Sequence, residues 1–241
     1  MQPLVIIPTY NERDNLPVIA ARLLALPDVR VLVVDDGSPD GTGAIADDLA
    51  RANDRIEVLH RTGPRGLGRS YVDGMRHALA RTSATHICQM DADLSHDPDD
   101  VPRLLAASAD ADLVVGTRYI PGGELRNWAA HRVLLSGVAN HYVRAITRLP
   151  IHDVTSGFRC WRRELLERLP LASLRSDGYA FQVEMAWEAQ QAGGRISELP
   201  ITFIERRQGT SKMSAGVIAE SILLPWRLVA RPRTRRLPGN Y

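Results

Sequence analysis

The sequence predicts an α/β fold in which a mostly parallel β-sheet is flanked by helices, and two observations support this. Short apolar segments rich in β-branched residues alternate with amphipathic segments through the first half of the 241-residue chain, a pattern typical of parallel sheets covered by helices. Four of the apolar segments end on polar side chains. Because ligands of such sheets bind beyond the carboxyl ends of the strands, we expect one rim to carry the chemistry.

The elements follow in chain order. Strands are predicted over 3–8, 29–36, 56–60, 86–93 and 111–118, with helices at 12–26, 41–52, 69–82 and 98–109 between them. Beyond them we predict a long helix over 127–149, a turn and short strand over 153–161, a helix over 179–193, a strand over 196–206 and an amphipathic helix over 214–230. No linker divides the chain, so we expect one domain over 1–213 and an amphipathic, basic segment over 214–241.

Composition and charge limit the class of protein. The chain is 44% apolar and 24% charged, as soluble globular proteins are. Cys88 and Cys160 have neither disulfide-framework nor metal-ligand spacing, so we expect buried free thiols. The sequence shows no secretory-signal pattern and no membrane span. The net charge of +2 is uneven, because residues 206–241 carry +7 and the rest −5. This suggests a phosphate-rich or anionic-membrane partner, whereas for RPRTRRLPGNY (231–241) alone a solvated tail is the favoured interpretation.

The segment MDADLSHDPDD (90–100) predicts a metal site. Asp91 and Asp93 flank one small residue at the end of an apolar strand, and two carboxylates so close together repel each other unless a cation lies between them. Their oxygens suit Mg²⁺ or Mn²⁺, with phosphates and water as further ligands. Asp97 is instead expected to cap the following helix, with Pro98 in its first turn.

Two further strand ends carry polar groups. In VVDDGSPDGT (33–42), Asp36 is expected to accept hydrogen bonds from a nucleobase or ribose, whereas Asp35 is left open between ligand binding and structure. In IPTYNERDNLP (7–17), Tyr10 can offer a stacking face and Glu12 an acceptor. The alternative for that segment is a turn in which Asn11 caps a helix.

Cationic residues come later in the chain. They are Arg118, Arg132, Arg159, Arg206, Arg207 and Lys212. Cations near a dicarboxylate site can neutralise a substrate with two or three phosphates. A separate stretch, GPRGLGRS (63–70), is one residue short of a phosphate-binding P-loop, which needs lysine where Arg69 stands.

Taken together, these segments resemble the inverting glycosyltransferases of the GT-A fold, and more closely the dolichol- or polyprenol-phosphate mannose synthases. The matching stretches include VIIPTYNERDNL, VLVVDDGSPDGT, GLGRSYVDGMRHA, MDADLSHDP, VVGTRYIPGG, DVTSGFRCWRRELL, GYAFQVEM and ELPITFIERRQGTSKM. They occur in family order from about residue 4 to 214, and the combination of DDGSPDGT, DADLSH and SKM is the most specific part.

The resemblance implies that mannose is transferred from GDP-mannose to a polyprenyl (dolichyl) monophosphate with inversion, with Mg²⁺ or Mn²⁺ as cofactor. It implies Asp91 and Asp93 as metal ligands, and as catalytic residues Asp93, Arg118, Arg206 and Lys212. The implied donor site is Pro8, Tyr10, Glu12, Val34, Asp36, Asp91, Ala92, Asp93, Arg118, Arg206 and Lys212. The implied acceptor-phosphate site is Arg118, Arg132, Ser136 and Arg206. Some relatives have glutamine as a further metal ligand where this chain has Ser95.

A lipid acceptor gives the C-terminal segment a role. Val217, Ile218, Ile222, Trp226 and Val229 share one predicted helical face, and five arginines follow from residue 227 onward. This pattern predicts a helix on an anionic membrane surface, whereas the alternative is a helix packed on the core. We expect a cytoplasmic protein, peripheral on the cytoplasmic face of a membrane, with a membrane-anchoring partner protein as one further partner and no nucleic acid.

Three other functions stay open on the sequence alone. A polyprenyl-phosphate glucose or aminosugar synthase would use a UDP-sugar, and few residues separate it from the mannose enzymes. A P-loop NTPase would be built on residues 63–70. A catalytically inactive subunit would bind only nucleotide-sugar or membrane, against which the intact acidic pair and cations argue.

Overall fold

A computed structural model describes residues 1–174, 176–205 and 215–231. Its strands are β1 (Pro3–Thr9), β2 (Arg30–Asp35), β3 (Ile56–His60), β4 (His86–Gln89), β5 (Leu113–Thr117), β6 (Glu124–Arg126), β7 (Arg159–Arg162), β8 (Ile196–Pro200) and β9 (Thr202–Ile204). Seven of them form the main sheet in the order β3-β2-β1-β4-β7-β5-β8, and β6 and β9 form a small parallel sheet. In the main sheet β7 runs antiparallel to β4 and β5, while the other pairs are parallel.

The helices are α1 (Leu16–Leu24), α2 (Thr42–Ala52), α3 (Leu67–Arg81), α4 (Val101–Ala107), α5 (Ala130–Thr147), α6 (Arg163–Leu166), α7 (Gly178–Gln191) and α8 (Ala215–Ala230). Asp97 accepts a hydrogen bond from the Asp99 N–H at the start of a short 3₁₀ turn that leads into α4, as its capping role predicted. None of the helices in the described ranges has both the length and the apolar composition of a membrane span.

Two hydrophobic clusters cover the two faces of the main sheet. Alternate residues of β1 enter different clusters: Leu4 and Ile6 pack towards α3 and α7, and Val5 and Ile7 pack towards α1 and α4. The predicted layering of helices on both faces is therefore confirmed. Gly74 lets α3 approach the sheet closely, because a Cβ there would lie 2.8 Å from Ile6 Cγ2.

The two cysteines face each other across the centre of the sheet. Cys88 on β4 pairs in register with Cys160 on β7, and both side chains are fully buried and free. A hydrogen bond with Cys88, and then burial, raise the pKa of Cys160 well above its usual value. The expectation of buried free thiols is confirmed.

Besides shifts of a few residues at helix ends, the strands differ from the sequence prediction in their number and bounds. The strand predicted over 86–93 ends at Gln89, because the chain turns at the acidic segment and Leu94 adopts a φ of 62°. The strand predicted over 196–206 divides at Ile201, whose N–H donates to Thr117 and whose carbonyl accepts from Glu124. Between the strand predicted over 111–118 and the helix predicted over 127–149, where no element was predicted, the chain forms β6 (Glu124–Arg126).

Helix α8 packs on the core, as one of the two alternatives from the sequence requires, while its contact with a membrane stays a prediction. Leu224 and Leu228 are buried in the core cluster, whereas Ile222, Trp226 and Val229 are about half exposed. The helix therefore packs on the domain through one face and presents a second apolar face outward. Residue 214 and residues 232–241 lie outside the described residues, so the boundary at 213/214 remains a prediction.

Candidate active site

A cleft of about 750 Å³ opens at the carboxyl ends of the parallel strands, where ligands of such sheets bind. It brings together most of the side chains selected from the sequence. Those that line it are Pro8, Tyr10, Glu12, Asp36, Asp91, Ala92, Asp93, Arg118 and Arg132. The ends of β1, β2, β4 and β5 meet at one rim, as predicted, and the function of that rim stays a prediction.

Two predicted site residues within the described part of the chain do not line the cleft, and two others lie outside that part. Val34 is fully buried in the core, where its Cγ2 lies 3.0 Å from the position of a Cβ added to Gly74, so its side chain cannot contact a nucleoside. Ser136 lies one helical turn beyond Arg132 on α5, outside the cleft lining. Arg206 and Lys212 fall outside the described residues.

The acidic pair is held by neighbours on both sides. The Tyr71 hydroxyl, from α3, donates to Asp91 Oδ1 at 2.8 Å. Burial, and then the Asp91 carboxylate, raise the pKa of Tyr71 well above its usual value, so its hydroxyl stays a donor. The backbone N–H of Ser95 donates to Asp93 Oδ1 at 3.1 Å, and the Ser95 hydroxyl donates to the same oxygen. Ser95 thus supports Asp93, which argues against a further ligand role.

His96 completes the wall behind the pair. Its ring stacks on Phe158 with 4.9 Å between centroids, and its Nδ1 accepts the backbone N–H of Asp91 at 3.3 Å. Burial lowers the pKa of His96, although Asp91 and Asp93 act in the opposite direction. A neutral ring therefore fixes the turn that carries the carboxylates. The sequence included His96 in the DADLSH motif but gave it no role.

The cleft also meets the chemical requirements of a hard divalent cation. Asp91 and Asp93 supply carboxylate oxygens to one cavity, and Mg²⁺ or Mn²⁺ accepts such ligands together with phosphate and water. Within residues 1–174, 176–205 and 215–231, no group of three or more His, Cys, Asp or Glu side chains is placed to hold a metal ion. A cation held by Asp91 and Asp93 would need further ligands such as water or phosphate.

Arg118 is fixed by an acid that the sequence analysis did not single out. Its Nε and Nη2 donate to the two oxygens of Asp153 at 2.6 and 2.7 Å, and Nη2 also reaches Thr155 at 3.0 Å. Burial opposes the charge of Arg118, but Asp153 raises the pKa of its guanidinium above the ordinary value. A charged, immobile arginine thus lines the cleft.

Arg132 occupies the same end of the cleft as Arg118. Its guanidinium lies 4.5 Å from the ring centroid of Trp128 and pairs with Glu205. Arg118 lies 5.1 Å from the ring of Phe203. Aromatic faces therefore hold both cations where an anionic group could lie between α5 and the acidic pair. Neither Trp128 nor Phe203 was predicted as a site residue.

Arg159 was expected among the phosphate-binding cations, and this was wrong. The residue is fully buried, and its guanidinium donates to the backbone carbonyls of Val154, Ser156 and Gln182 at 2.8 to 2.9 Å. Burial lowers its pKa to about 9. Strand β7 is paired on both sides, so Arg159 lies within the sheet. Its hydrogen bonds connect the turn before β7 to α7.

In the glycine-rich stretch 63–70, two backbone N–H groups already donate hydrogen bonds to carboxylates. Asp36 Oδ2 accepts the Gly66 N–H at 2.8 Å, and Asp177 Oδ1 accepts the Gly68 N–H at 2.6 Å. The other oxygen of Asp36 pairs with the buried Arg61. A P-loop uses such backbone N–H groups for phosphate, so a phosphate here would have to displace two acids. The geometry argues against the NTPase alternative and against a phosphate role for this loop.

Tyr10 is covered by a cation from the same loop. The Arg65 guanidinium lies 4.6 Å from the Tyr10 ring centroid and donates to its hydroxyl. On the other side of β1, Glu12 accepts a hydrogen bond from Asn15 at 2.8 Å and its backbone N–H donates to Thr42. The aromatic ring and the carboxylate both border the cleft, and their role in binding a nucleoside stays a prediction.

Comparison with known proteins bears on what this cleft does. Residues 4–170 match the family described as Glycosyl transferase family 2. The chain is 51% identical over 222 residues to the polyprenol monophosphomannose synthase of Mycolicibacterium smegmatis, and the aligned region covers 91% of this chain and 83% of the relative. It is 45% identical over 234 residues to the undecaprenyl-phosphate mannosyltransferase of Micrococcus luteus, which covers 96% of each chain.

Solved structures share the fold at lower identity. Glucosyl-3-phosphoglycerate synthase of Mycobacterium tuberculosis, in complex with Mn²⁺, UDP-glucose and phosphoglyceric acid, matches with a TM-score of 0.69 at 20% identity over 93% of this chain and 80% of that one. A mannosyltransferase of Pyrobaculum calidifontis, in complex with GDP-Man and Mn²⁺, matches with a TM-score of 0.58 at 17% identity over 95% of this chain and 72% of that one. The predicted GT-A fold is confirmed. Since the family match spans more than half of the sequence and two relatives are about half identical, the chain belongs to glycosyl transferase family 2.

Proposed function

We propose that this protein transfers mannose from GDP-mannose to a polyprenyl monophosphate, giving a β-mannosyl phospholipid and GDP. One observation carries the proposal: Asp91, Asp93 and the buried Arg118 line a single cleft. Relatives of the chain at 51% and 45% identity are named for mannosyl transfer to polyprenol or undecaprenyl phosphate. The names identify the acceptor and sugar of those proteins, and the cleft provides groups that suit the same reaction.

In this proposal the donor lies along the strand ends. Tyr10, Glu12 and Asp36 border the part of the cleft that would take guanosine. Asp91 and Asp93 would hold a Mg²⁺ or Mn²⁺ ion beside the diphosphate. Such an ion neutralises negative charge that develops on a departing nucleoside diphosphate. Arg206 and Lys212, outside the described residues, are proposed to close over the phosphates from the other side.

The acceptor needs no general base. A phosphate monoester is ionised at neutral pH, so one of its oxygens can form a bond to the anomeric carbon while the bond from that carbon to the diphosphate oxygen breaks. The leaving group takes the electron pair, and a single displacement inverts the configuration. Arg118 and Arg132 would hold the acceptor phosphate, so the protein contributes orientation and charge.

A lipid acceptor also requires a route from the membrane to the cleft. Leu134, Leu135 and Val138 are more than half exposed on α5, immediately after the cleft residue Arg132. Further along α5, this helix contacts α8, where the Tyr142 hydroxyl donates to the Ile222 carbonyl at 2.8 Å. We propose that this apolar surface of α5 and α8 rests on the cytoplasmic face of an anionic membrane. A membrane-anchoring partner protein is a further proposal.

The proposal is tested by a transfer assay with purified protein, labelled GDP-mannose, Mg²⁺ or Mn²⁺ and a polyprenyl phosphate. The expected product is extractable into organic solvent and labile to mild acid. UDP-glucose serves as the competing donor, and transfer from it alone would refute the mannose assignment. Asp93→Ala should abolish transfer, whereas the matched control Asp97→Ala, in the exposed capping position, should retain it. Full turnover by Asp93→Ala would refute the metal role.

A further inference from the structure

One buried side chain in the cleft wall has an amide oxygen with no hydrogen-bond partner among the described residues. Gln182, in the second turn of α7, is 2% exposed and lines the cleft. Its backbone carbonyl accepts a hydrogen bond from Arg159 at 2.8 Å, so its place is fixed. An unpartnered buried acceptor is unfavourable, which makes it a candidate for satisfaction by a ligand.

Gln182 lies next to the acidic pair. A Cβ added to Gly157 would be 3.4 Å from both Asp91 Oδ2 and Gln182 Nε2, so the two side chains flank the same glycine. Gly157 precedes β7, and β7 lies on the side of β4 away from β1 and β2. Tyr10 and Asp36 follow β1 and β2. The acidic pair therefore lies between the Gln182 amide and the end of the cleft proposed for the nucleoside.

The position and chemistry of the amide restrict its ligand. An amide oxygen accepts hydrogen bonds, and phosphate oxygens ionised at neutral pH cannot supply them. The donors of guanine and ribose would lie at the opposite end of the cleft. A hexose attached to the diphosphate carries hydroxyl groups and would extend past the acidic pair. Its hydroxyls are thus the donors within reach of Gln182.

We propose that the Gln182 side-chain oxygen accepts a hydrogen bond from one hydroxyl of the transferred hexose and so helps to select the donor sugar. The inference rests on the proposed function and extends it to the sugar itself. A site that binds a substrate hydroxyl discriminates strongly against an analogue without it, because its own polar group is then left unpaired. Gln182 would be a specificity-determining residue that does not take part in proton transfer.

The test compares kcat/KM for GDP-mannose and its 2-, 3-, 4- and 6-deoxy analogues. Wild-type protein should lose about 10- to 100-fold with one analogue. Gln182→Met, which keeps the length of the side chain, should lose a similar factor with GDP-mannose and nothing further with that analogue. Gln191→Met, at an exposed position of the same helix, should behave as wild type with every donor.

Several results would overturn the inference. One is a wild-type kcat/KM for all four analogues within threefold of the value for GDP-mannose, a result that needs no variant to fold. Another is a loss of kcat/KM in Gln182→Met that multiplies with the loss caused by every one of the analogues. A changed inhibition constant for GDP, or a changed Mn²⁺ requirement, would place the amide on the nucleotide or on a metal ion. Absence of any transfer from GDP-mannose by the wild type would instead refute the proposed function. The two failures are therefore distinguishable.

Discussion

Arg118 and Asp153 form a buried ion pair in the cleft wall, with side chains 6% and 0% exposed. Removing one member of such a pair leaves a charge in a poorly solvated place. We expect Asp153→Ala to lower the free energy of unfolding by about 3–5 kcal/mol and to reduce transfer, as measured by urea denaturation and the assay above. Glu124→Ala, which removes one acid from an exposed pair with Arg126, should cost less than about 1 kcal/mol. Equal losses would contradict the role given to Asp153.

Tyr71 acts on the acidic pair from α3. Tyr71→Phe removes the hydroxyl that donates to Asp91 Oδ1 and keeps the ring that stacks near Phe181. Because the loss of a hydrogen bond to a metal-ligating group typically weakens metal binding about 10- to 100-fold, the Mn²⁺ concentration for half-maximal transfer should rise by that order. Tyr142→Phe, which removes a hydroxyl far from the pair, should not change it. An unaltered Mn²⁺ requirement in Tyr71→Phe would contradict the proposed support of Asp91 by the Tyr71 hydroxyl.

At this scale the sequence predicts residues that end strands and misses the residues that hold them. Asp91, Asp93 and Arg118 were identifiable because each follows an apolar segment at the carboxyl end of a strand. Tyr71 looks like an ordinary apolar residue of an amphipathic helix, and Asp153 like a turn residue, since the groups they contact lie 20 and 35 positions away in the chain. Such long-range partners become visible only once the chain is folded.

The first turn of helix α3 packs against the start of α7, and this close packing depends on Gly68. A Cβ added to Gly68 would lie 2.8 Å from the Ser176 carbonyl oxygen and 2.9 Å from Phe181 Cβ. Gly68→Ala should therefore lower the free energy of unfolding by about 1–3 kcal/mol. Gly137→Ala, in α5 with no atom within 4 Å, should raise it by about 0.5–1 kcal/mol. Thermal or urea unfolding of the two variants measures the contrast, which would fail if both changes had the same sign.

Among the elements, order and type were predictable, whereas pairing was not. The alternating pattern located the first five strands and the helices between them to within a few residues. The antiparallel direction of β7 follows from a turn and a four-residue strand, too short to carry a signal of direction. The division at Ile201 depends on contacts with Thr117 and Glu124, which link the main sheet to the small one.

At the scale of the whole molecule, one arginine of the C-terminal segment and several exposed apolar side chains have places that the sequence did not predict. Arg231, counted there among the arginines for a membrane surface, pairs with Glu184 at 2.9 Å and with Glu188 at 3.4 Å on α7. It therefore fastens the end of α8 to the domain. The exposed apolar side chains instead come from two helices, and the contribution of α5 was not recognised from the sequence, where 127–149 reads as one continuous helix.

The surface formed by α5 and α8 predicts that membrane binding and catalysis can be separated. Leu135→Asp combined with Ile222→Asp places a charge at two exposed apolar positions, 61% and 52% exposed, and should weaken sedimentation with anionic vesicles at least about tenfold. Transfer to a short, water-soluble polyprenyl phosphate should stay unchanged, because neither residue lines the cleft.

Val18→Asp, on α1 with 48% exposure, is the matched control and should leave both properties intact. Vesicle binding that survives the double change, or falls equally in Val18→Asp, would assign the membrane contact to another surface, and loss of the water-soluble reaction would show that α5 serves the chemistry directly.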